Sequence, residues 1–105
     1  MEFTHLAIFE RSAHGLLTEQ DVLELELALM LDPAAGQVIP GGRGLRKVRR
    51  PLAGRGKREG ARVIYYHLAA NHTIYLVFAY AKNQQADLTK VQLQQLVNHI
   101  SSALP

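Results

Sequence analysis

The chain contains no cysteine. That absence excludes disulfides, thiolate catalysis and cysteine-based metal sites together. No apolar run approaches the ~20 residues needed to span a bilayer, so no membrane partner is expected. The opening MEFTHLAIFERS carries an acid at Glu2 and no basic segment, and it does not read as a secretory signal. A cytoplasmic location is the economical expectation. The five histidines, at positions 5, 14, 67, 72 and 99, show neither H-x-H nor H-x-x-x-H spacing. No metal and no cofactor are expected from them. GGRG and GRGKREG lack the G-x-x-x-x-G-K-[ST] spacing and the strand–loop–helix setting of a phosphate loop. No helix-turn-helix signature is present either, which weighs against a DNA-binding regulator.

Acids are scarce where bases are dense. Of twelve Lys and Arg residues, nine fall between Arg43 and Arg62: Arg43, Arg46, Lys47, Arg49, Arg50, Arg55, Lys57, Arg58 and Arg62. Glu59 is the one acid among them, so this window carries +8 and the rest of the chain −5, within a net charge of +3. Arginines outnumber lysines seven to two there, and the planar guanidinium fork suits phosphate oxygens better than an ammonium does. Glycines at 41, 42, 44, 54, 56 and 60 let this backbone turn and let a ligand come close. The expected partner is anionic, with nucleic acid first. A length of 105 residues suits one domain, residues 1–105, around one core.

Taken in order, Phe3–Phe9 (FTHLAIF) is short, apolar and bounded by charge, and reads as a strand. Glu10–Gly15 is a polar break that leaves room for a helical turn. Thr18 and Asp21 have capping-box spacing, Leu17 can staple onto Val22, and a helix follows to about Leu31. Its apolar positions (Leu23, Leu27, Met30 and Val22, Leu25, Leu29) make a wide face expected to pack on something large. Asp32-Pro33 ends it. Ala34–Gly44 reads as a loop and Leu45–Arg49 as a strand, on which 45, 47 and 49 face away from 46 and 48. Pro51–Gly60 is a glycine-rich connection. Ala61–Leu68 and Thr73–Ala81 are strands joined by a turn, the second apolar on both faces and therefore central. Lys82–Leu88 is a polar loop, and Thr89 with Gln92 caps a last helix lined by Leu93, Leu96, Val97 and Ile100. The expected fold is α+β, in the order β-α-β-β-β-α, with helices packed on a curved, mainly antiparallel sheet.

Arg62 opens a strand whose next residues look buried, so its position is rigid. Lys47 on the preceding strand would lie beside it if the two strands pair, and Tyr80 and Lys82 could reach the same sheet edge. Fixed cations with a phenol can support RNA cleavage without a metal, in which the ribose 2′-OH attacks its own phosphate and the cations stabilise the phosphoryl oxygens. The remaining basic residues would hold RNA backbone. A dense basic run is more often a binding surface alone. The residues by themselves favour RNA or DNA binding and leave cleavage open.

Three blocks carry a resemblance: DPAAGQVIPGGRGLRKVR, then GRGKREGARVIYY, then YAKNQQADLT. In this order, spanning Asp32–Thr89, they resemble the RelE/HigB superfamily of type II toxin–antitoxin toxins, in particular its HigB-type, phage-derived branch. The resemblance implies a small RelE-like domain that enters the ribosomal A site, contacts rRNA and cuts mRNA there. It implies a cognate HigA/RelB-type antitoxin, which silences the toxin and through which the complex binds its own operator DNA. Arg62 matches the strand arginine that stabilises the transition state in that family. Lys47 and Arg46 match basic residues of the preceding strand, Lys57 and Arg58 the basic loop, and Lys82 the basic position after the last strand. Lys47 or Lys57 would serve as the base. Arg43, Arg49, Arg50 and Arg55 would hold RNA with Arg46, Arg58 and Tyr80. Some relatives stack the substrate base on an aromatic residue near the C-terminal end, where this chain has Asp87-Leu88-Thr89. A non-cleaving RNA- or ribosome-binding module of the same fold, a decayed toxin or phage remnant, is the alternative.

Overall fold

In a computed structural model, which describes residues 1–52 and 60–105, five strands form one sheet in the order β1-β5-β4-β3-β2. The elements are β1 (Glu2–His5), α1 (Ala7–Ala13), α2 (Glu19–Leu31), β2 (Gln37–Val38), β3 (Arg46–Arg50), β4 (Ala61–Leu68), β5 (Thr73–Ala81) and α3 (Lys90–Ala103). β3, β4 and β5 make the expected antiparallel meander, and β1 joins β5 in parallel. The fold is α+β, with β5 and β4 at the centre where their apolar residues on both faces are covered.

Each face of the sheet has its own core. α1 and α2 cover one face, packing Phe9, Ala13, Leu25 and Leu29 on Val63, Tyr65, Ile74 and Leu76. α3 covers part of the other, packing Leu96, Val97 and Ile100 on Leu45, Ile64, Tyr75 and Val77. Both long helices start at reciprocal caps. The Thr18 amide donates to Asp21 Oδ2 (2.9 Å) while the Asp21 amide donates to Thr18 Oγ1 (3.0 Å). Thr89 and Gln92 repeat the arrangement at 3.0 Å in both directions. Such caps satisfy amides that have no partner within the helix.

Two elements and one helix face differ from the sequence reading. Of the apolar positions of α2 expected to pack, Leu25 and Leu29 are buried, but Leu23, Leu27 and Met30 stay exposed. The expected strand Phe3–Phe9 stops at His5, and α1 begins at Ala7. A short apolar run fits a buried helix as well as a strand, and tertiary contacts decide. Phe9 and Ala13, four residues apart, bury together on the sheet, and the Leu6 amide closes the β1–β5 ladder on Leu76 O (3.0 Å). The expected loop Ala34–Gly44 contains β2, a two-residue edge strand in register with Lys47 and Arg46. It is tied down because Tyr65 reaches under it: the Tyr65 hydroxyl accepts from the Gly36 amide (2.9 Å) and donates to Pro33 O (2.7 Å). Gly36 is obligatory there, since a Cβ would stand 2.8 Å from Lys47 O and from the Tyr65 ring.

β5 also carries a bulge. Ile64 pairs with Phe78, but Tyr65 pairs with Leu76, which leaves Val77 as an extra residue on β5. The bulge resets the alternation, so Ala79 turns to the α1 face and Tyr80 to the α3 face.

Candidate functional site

Alternation along paired strands sets which cations share a face. Arg49, Arg62 and Tyr80 are register partners in one row across β3, β4 and β5. Lys47, Ile64 and Phe78 form the next row on the same face. This is the face on which α3 packs elsewhere. Next to the first row the Lys82 amide donates to Gly60 O (3.1 Å), extending β5 by one step. Gly60 takes a left-handed backbone (φ 55°) where a Cβ would meet Arg50 O at 2.4 Å, so β3 and β4 close on each other there only around glycine. One end of the sheet thus gathers Lys47, Arg49, Arg62, Tyr80 and Lys82.

Their environments differ. Arg49 is exposed and Lys47 half-buried, whereas Arg62 is only 8% exposed and donates to Ala61 O at 3.4 Å. A guanidinium removed from bulk water acts on a nearby charge more strongly than a solvated one. Tyr80 is buried, and its hydroxyl has no hydrogen-bond partner among the described residues. Burial and the nearby Asp87 carboxylate push its pKa up to about 12, against the pull of the Arg62 guanidinium. Asp87 acts on it chiefly by its charge. At neutral pH Tyr80 is therefore a donor looking for an acceptor.

Asp87 is the residue that sequence reasoning missed. Its carboxylate accepts from the Leu88 amide (2.8 Å) and from Lys47 Nζ (3.1 Å), and these contacts hold its pKa below the ordinary carboxylate value. Lys82 lies on its other side and donates to Ala86 O (2.9 Å). The available signal was that Asp87 is the one acid after Glu59. An acid kept among cations fixes their positions.

Not every basic residue of the window joins this group. Arg46 projects on the opposite face with Tyr65, and its guanidinium donates to Gly36 O (2.7 Å) and Ala34 O (3.5 Å), bracing β2. Arg50 shares the side of Val48 and Ala61. Arg43 is exposed in a left-handed conformation (φ 53°) in the turn before Leu45, at the end of β3 away from Arg49. Arg55, Lys57 and Arg58 lie outside the described residues.

β1 pairs with β5 only as far as Leu76, so the edge of Val77–Ala81 is left to other partners. The Ala79 amide donates to Ser12 Oγ (2.9 Å). A cleft of about 660 Å³ opens at this edge, lined by Ser12, His14, Leu52, Gly60, Tyr80 and Gln85 among others. Tyr80 forms part of its wall. Among the described residues no group of three His, Asp or Glu side chains could hold a metal ion. No helix among them is long and apolar enough to cross a membrane.

No protein-family model matches the chain. Among solved structures, an arginine-to-alanine double mutant of E. coli toxin RelE in its free state matches with a TM-score of 0.53, covering 99% of this chain and 97% of that one at 11% sequence identity. The fold is RelE-like. The likeness extends along the whole layout of strands and helices, and at this identity it speaks for the fold alone.

Proposed function

We propose that this chain is the toxin of a type II toxin–antitoxin module, an mRNA endoribonuclease that works on the ribosome as one domain over residues 1–105. The observation that carries the reading is the row Arg49–Arg62–Tyr80 with Lys47 beside it. Arg49 and Arg62 are register partners on paired strands, and a phosphate held over both would meet two guanidinium forks. The buried Tyr80 hydroxyl supplies a donor for the same group. The RelE-like fold and the sequence resemblance point the same way.

In this reading a scissile phosphate sits over Arg62, with Lys47 and Arg49 on its exposed side. The ribose 2′-OH gives its proton to a lysine base, Lys47 or Lys57, as its oxygen attacks phosphorus. The bond to the 5′-oxygen breaks, that oxygen takes up a proton, and the products are a 2′,3′-cyclic phosphate and a 5′-hydroxyl. Arg62 and Tyr80 stabilise the charge that builds on the phosphoryl oxygens. Lys47, held by Asp87, positions the phosphate. Lys57 and Lys82 are the further basic residues with a part in catalysis. Arg43, Arg55 and Arg58 hold RNA backbone. Arg46 and Arg50, on the other face, would meet RNA only beyond the cleavage site. The protein belongs to the cytoplasm, its substrate is mRNA in the ribosomal A site, and a HigA/RelB-type antitoxin silences it and brings the complex to its operator. The HigB-type branch is the closest assignment.

The test is cell-free translation with purified protein, mapping mRNA by primer extension with and without ribosomes. Cuts that require ribosomes, with cyclic-phosphate ends, are expected. Intact mRNA beside a protein that still binds ribosomes would leave a non-cleaving binding module as the better account.

A further inference from the structure

We propose that the outward side of α2 is a docking surface for a cationic amphipathic helix of a partner protein. α2 is apolar on two opposite sides. Leu25 and Leu29 face the core, whereas Leu23, Leu27 and Met30 face solvent with 49%, 49% and 48% of their surface exposed. Positions 23, 27 and 30 follow an i, i+4, i+7 spacing, which puts them in one line down the helix. A helix with apolar stripes on two opposite sides normally has both covered. Single exposed apolar side chains are ordinary, but a continuous seam of this spacing is the geometry by which one helix receives another. Leu31, 88% exposed, extends it at the C-terminal end.

The flanks choose the occupant. Glu19 and Glu26 border the seam on one side and Glu24 on the other, and α2 (EQDVLELELALML) contains no Lys or Arg. These are the positions at which paired helices exchange charges and select partners. A second copy of this chain would set glutamates against glutamates, a like-charge juxtaposition that opposes association. RNA is repelled for the same reason. A helix with an apolar seam flanked by Lys and Arg satisfies both features. Beside the seam a groove of about 410 Å³ runs between α1 and α2, bordered by Leu17, Val22 and Leu23. Its polar wall is His5, set between Glu10 Oε1 (3.2 Å) and Glu26 Oε2 (2.6 Å). A side chain from the docked helix has room there. The surface stands on the other side of the sheet from the Arg62 row, so this inference holds whether or not that row cleaves RNA.

The test uses the full chain and two synthetic helices of about three heptads, both with leucine seams, one flanked by Lys and Arg and the other by Glu. Calorimetry should show saturable one-to-one binding of the cationic helix and none of the acidic one. Leu27→Ser should weaken binding at least about tenfold while circular dichroism stays unchanged, because Leu27 is half-exposed. Glu19→Lys with Glu24→Lys should reverse the preference between the two helices. No binding, equal binding of both helices, or binding untouched by Leu27→Ser would overturn the proposal. Self-association of the chain that Leu27→Ser abolishes would also overturn it, assigning the seam to a second copy.

Discussion

The two ends of this molecule are built from opposite materials. Residues 1–32, which form β1, α1 and α2, carry seven acids against one arginine, a net of −6. Residues 43–62 carry nine bases against one acid, a net of +8. On the acidic side an apolar seam of leucines and a methionine stays unburied between the glutamates. On the basic side what remains unsatisfied is polar: a phenol without a partner among the described residues, beside two arginines in register. An apolar seam asks for area and shape, and is met by another protein. A row of donors asks for negative charge at a point, and is met by phosphate. A net charge of +3 conceals both.

The contrast between the two ends breaks first at Arg62. Arg62→Ala should lower cleavage by at least about a hundredfold, the scale of losing one preorganised donor at a developing oxyanion. Leu27→Ser should leave cleavage unchanged. Since Arg62 is buried, each rate is taken per folded protein, checked by thermal melts. Equal losses in both variants would mean that stability, and not the site, governs activity.

The next largest effect is ionic. If about four basic residues contact RNA backbone, affinity for ribosomes should fall on the order of 50-fold between 50 and 200 mM salt, and removing Lys47 and Arg49 together should flatten that slope by about 1–2. Helix binding at α2 should also weaken with salt, since its flanking charges are exposed, but by less, because the apolar seam does not screen. A flat salt response at the basic end would remove it as the RNA contact.

Tyr80→Phe sharpens the contrast, because stability and activity should move in opposite directions. Deleting a buried hydroxyl that lacks a partner should stabilise the fold by about 1 kcal/mol, a few degrees in Tm. Cleavage should drop about tenfold as a donor is lost. A destabilised variant would show that the hydroxyl is bonded within the fold.

The smallest effect is on pH. Tyr80 ionises near pH 10 in the unfolded chain and at about 12 in the fold. The folded state therefore keeps the proton longer, and the stability this adds below pH 10 is lost progressively between pH 10 and 12. Tyr80→Phe should remove that part of the alkaline slope in denaturant titrations. Asp87 works at the acid end: its lowered pKa adds stability that disappears as pH falls below the carboxylate range, and its exposure keeps the amount small.

Much of this was legible in the sequence where chemistry is local. Both capping boxes marked their helices, and the β-branched and aromatic runs marked β4 and β5 with their turn, because a cap or a strand face is decided within a few residues. α1 was legible only in part, as a helical turn in Glu10–Gly15, since Leu6–Phe9 suits a strand or a helix until Phe9 and Ala13 find the sheet. The bulge at Val77 left no mark in TIYLVFAYA, yet it alone places Tyr80 beside Arg62. The alternation on β3 was visible, and it already separates Lys47 and Arg49 from Arg46; Arg50, placed past the expected strand end, joins the Arg46 side in the fold. The Lys47–Asp87 pair joins residues forty apart and needed the fold. Low local contrast hid the outer seam of α2, because an apolar helix does not show from sequence which side will be covered.

The central claim, that the Arg62 row is a phosphate-cleaving site, is tested most directly by Arg62→Lys. That variant keeps the charge and loses the fork. Single-turnover cleavage of ribosome-bound mRNA should fall at least about a hundredfold while ribosome affinity stays within a few-fold of the parent. Cleavage at the parental rate by a folded Arg62→Lys protein would contradict the account.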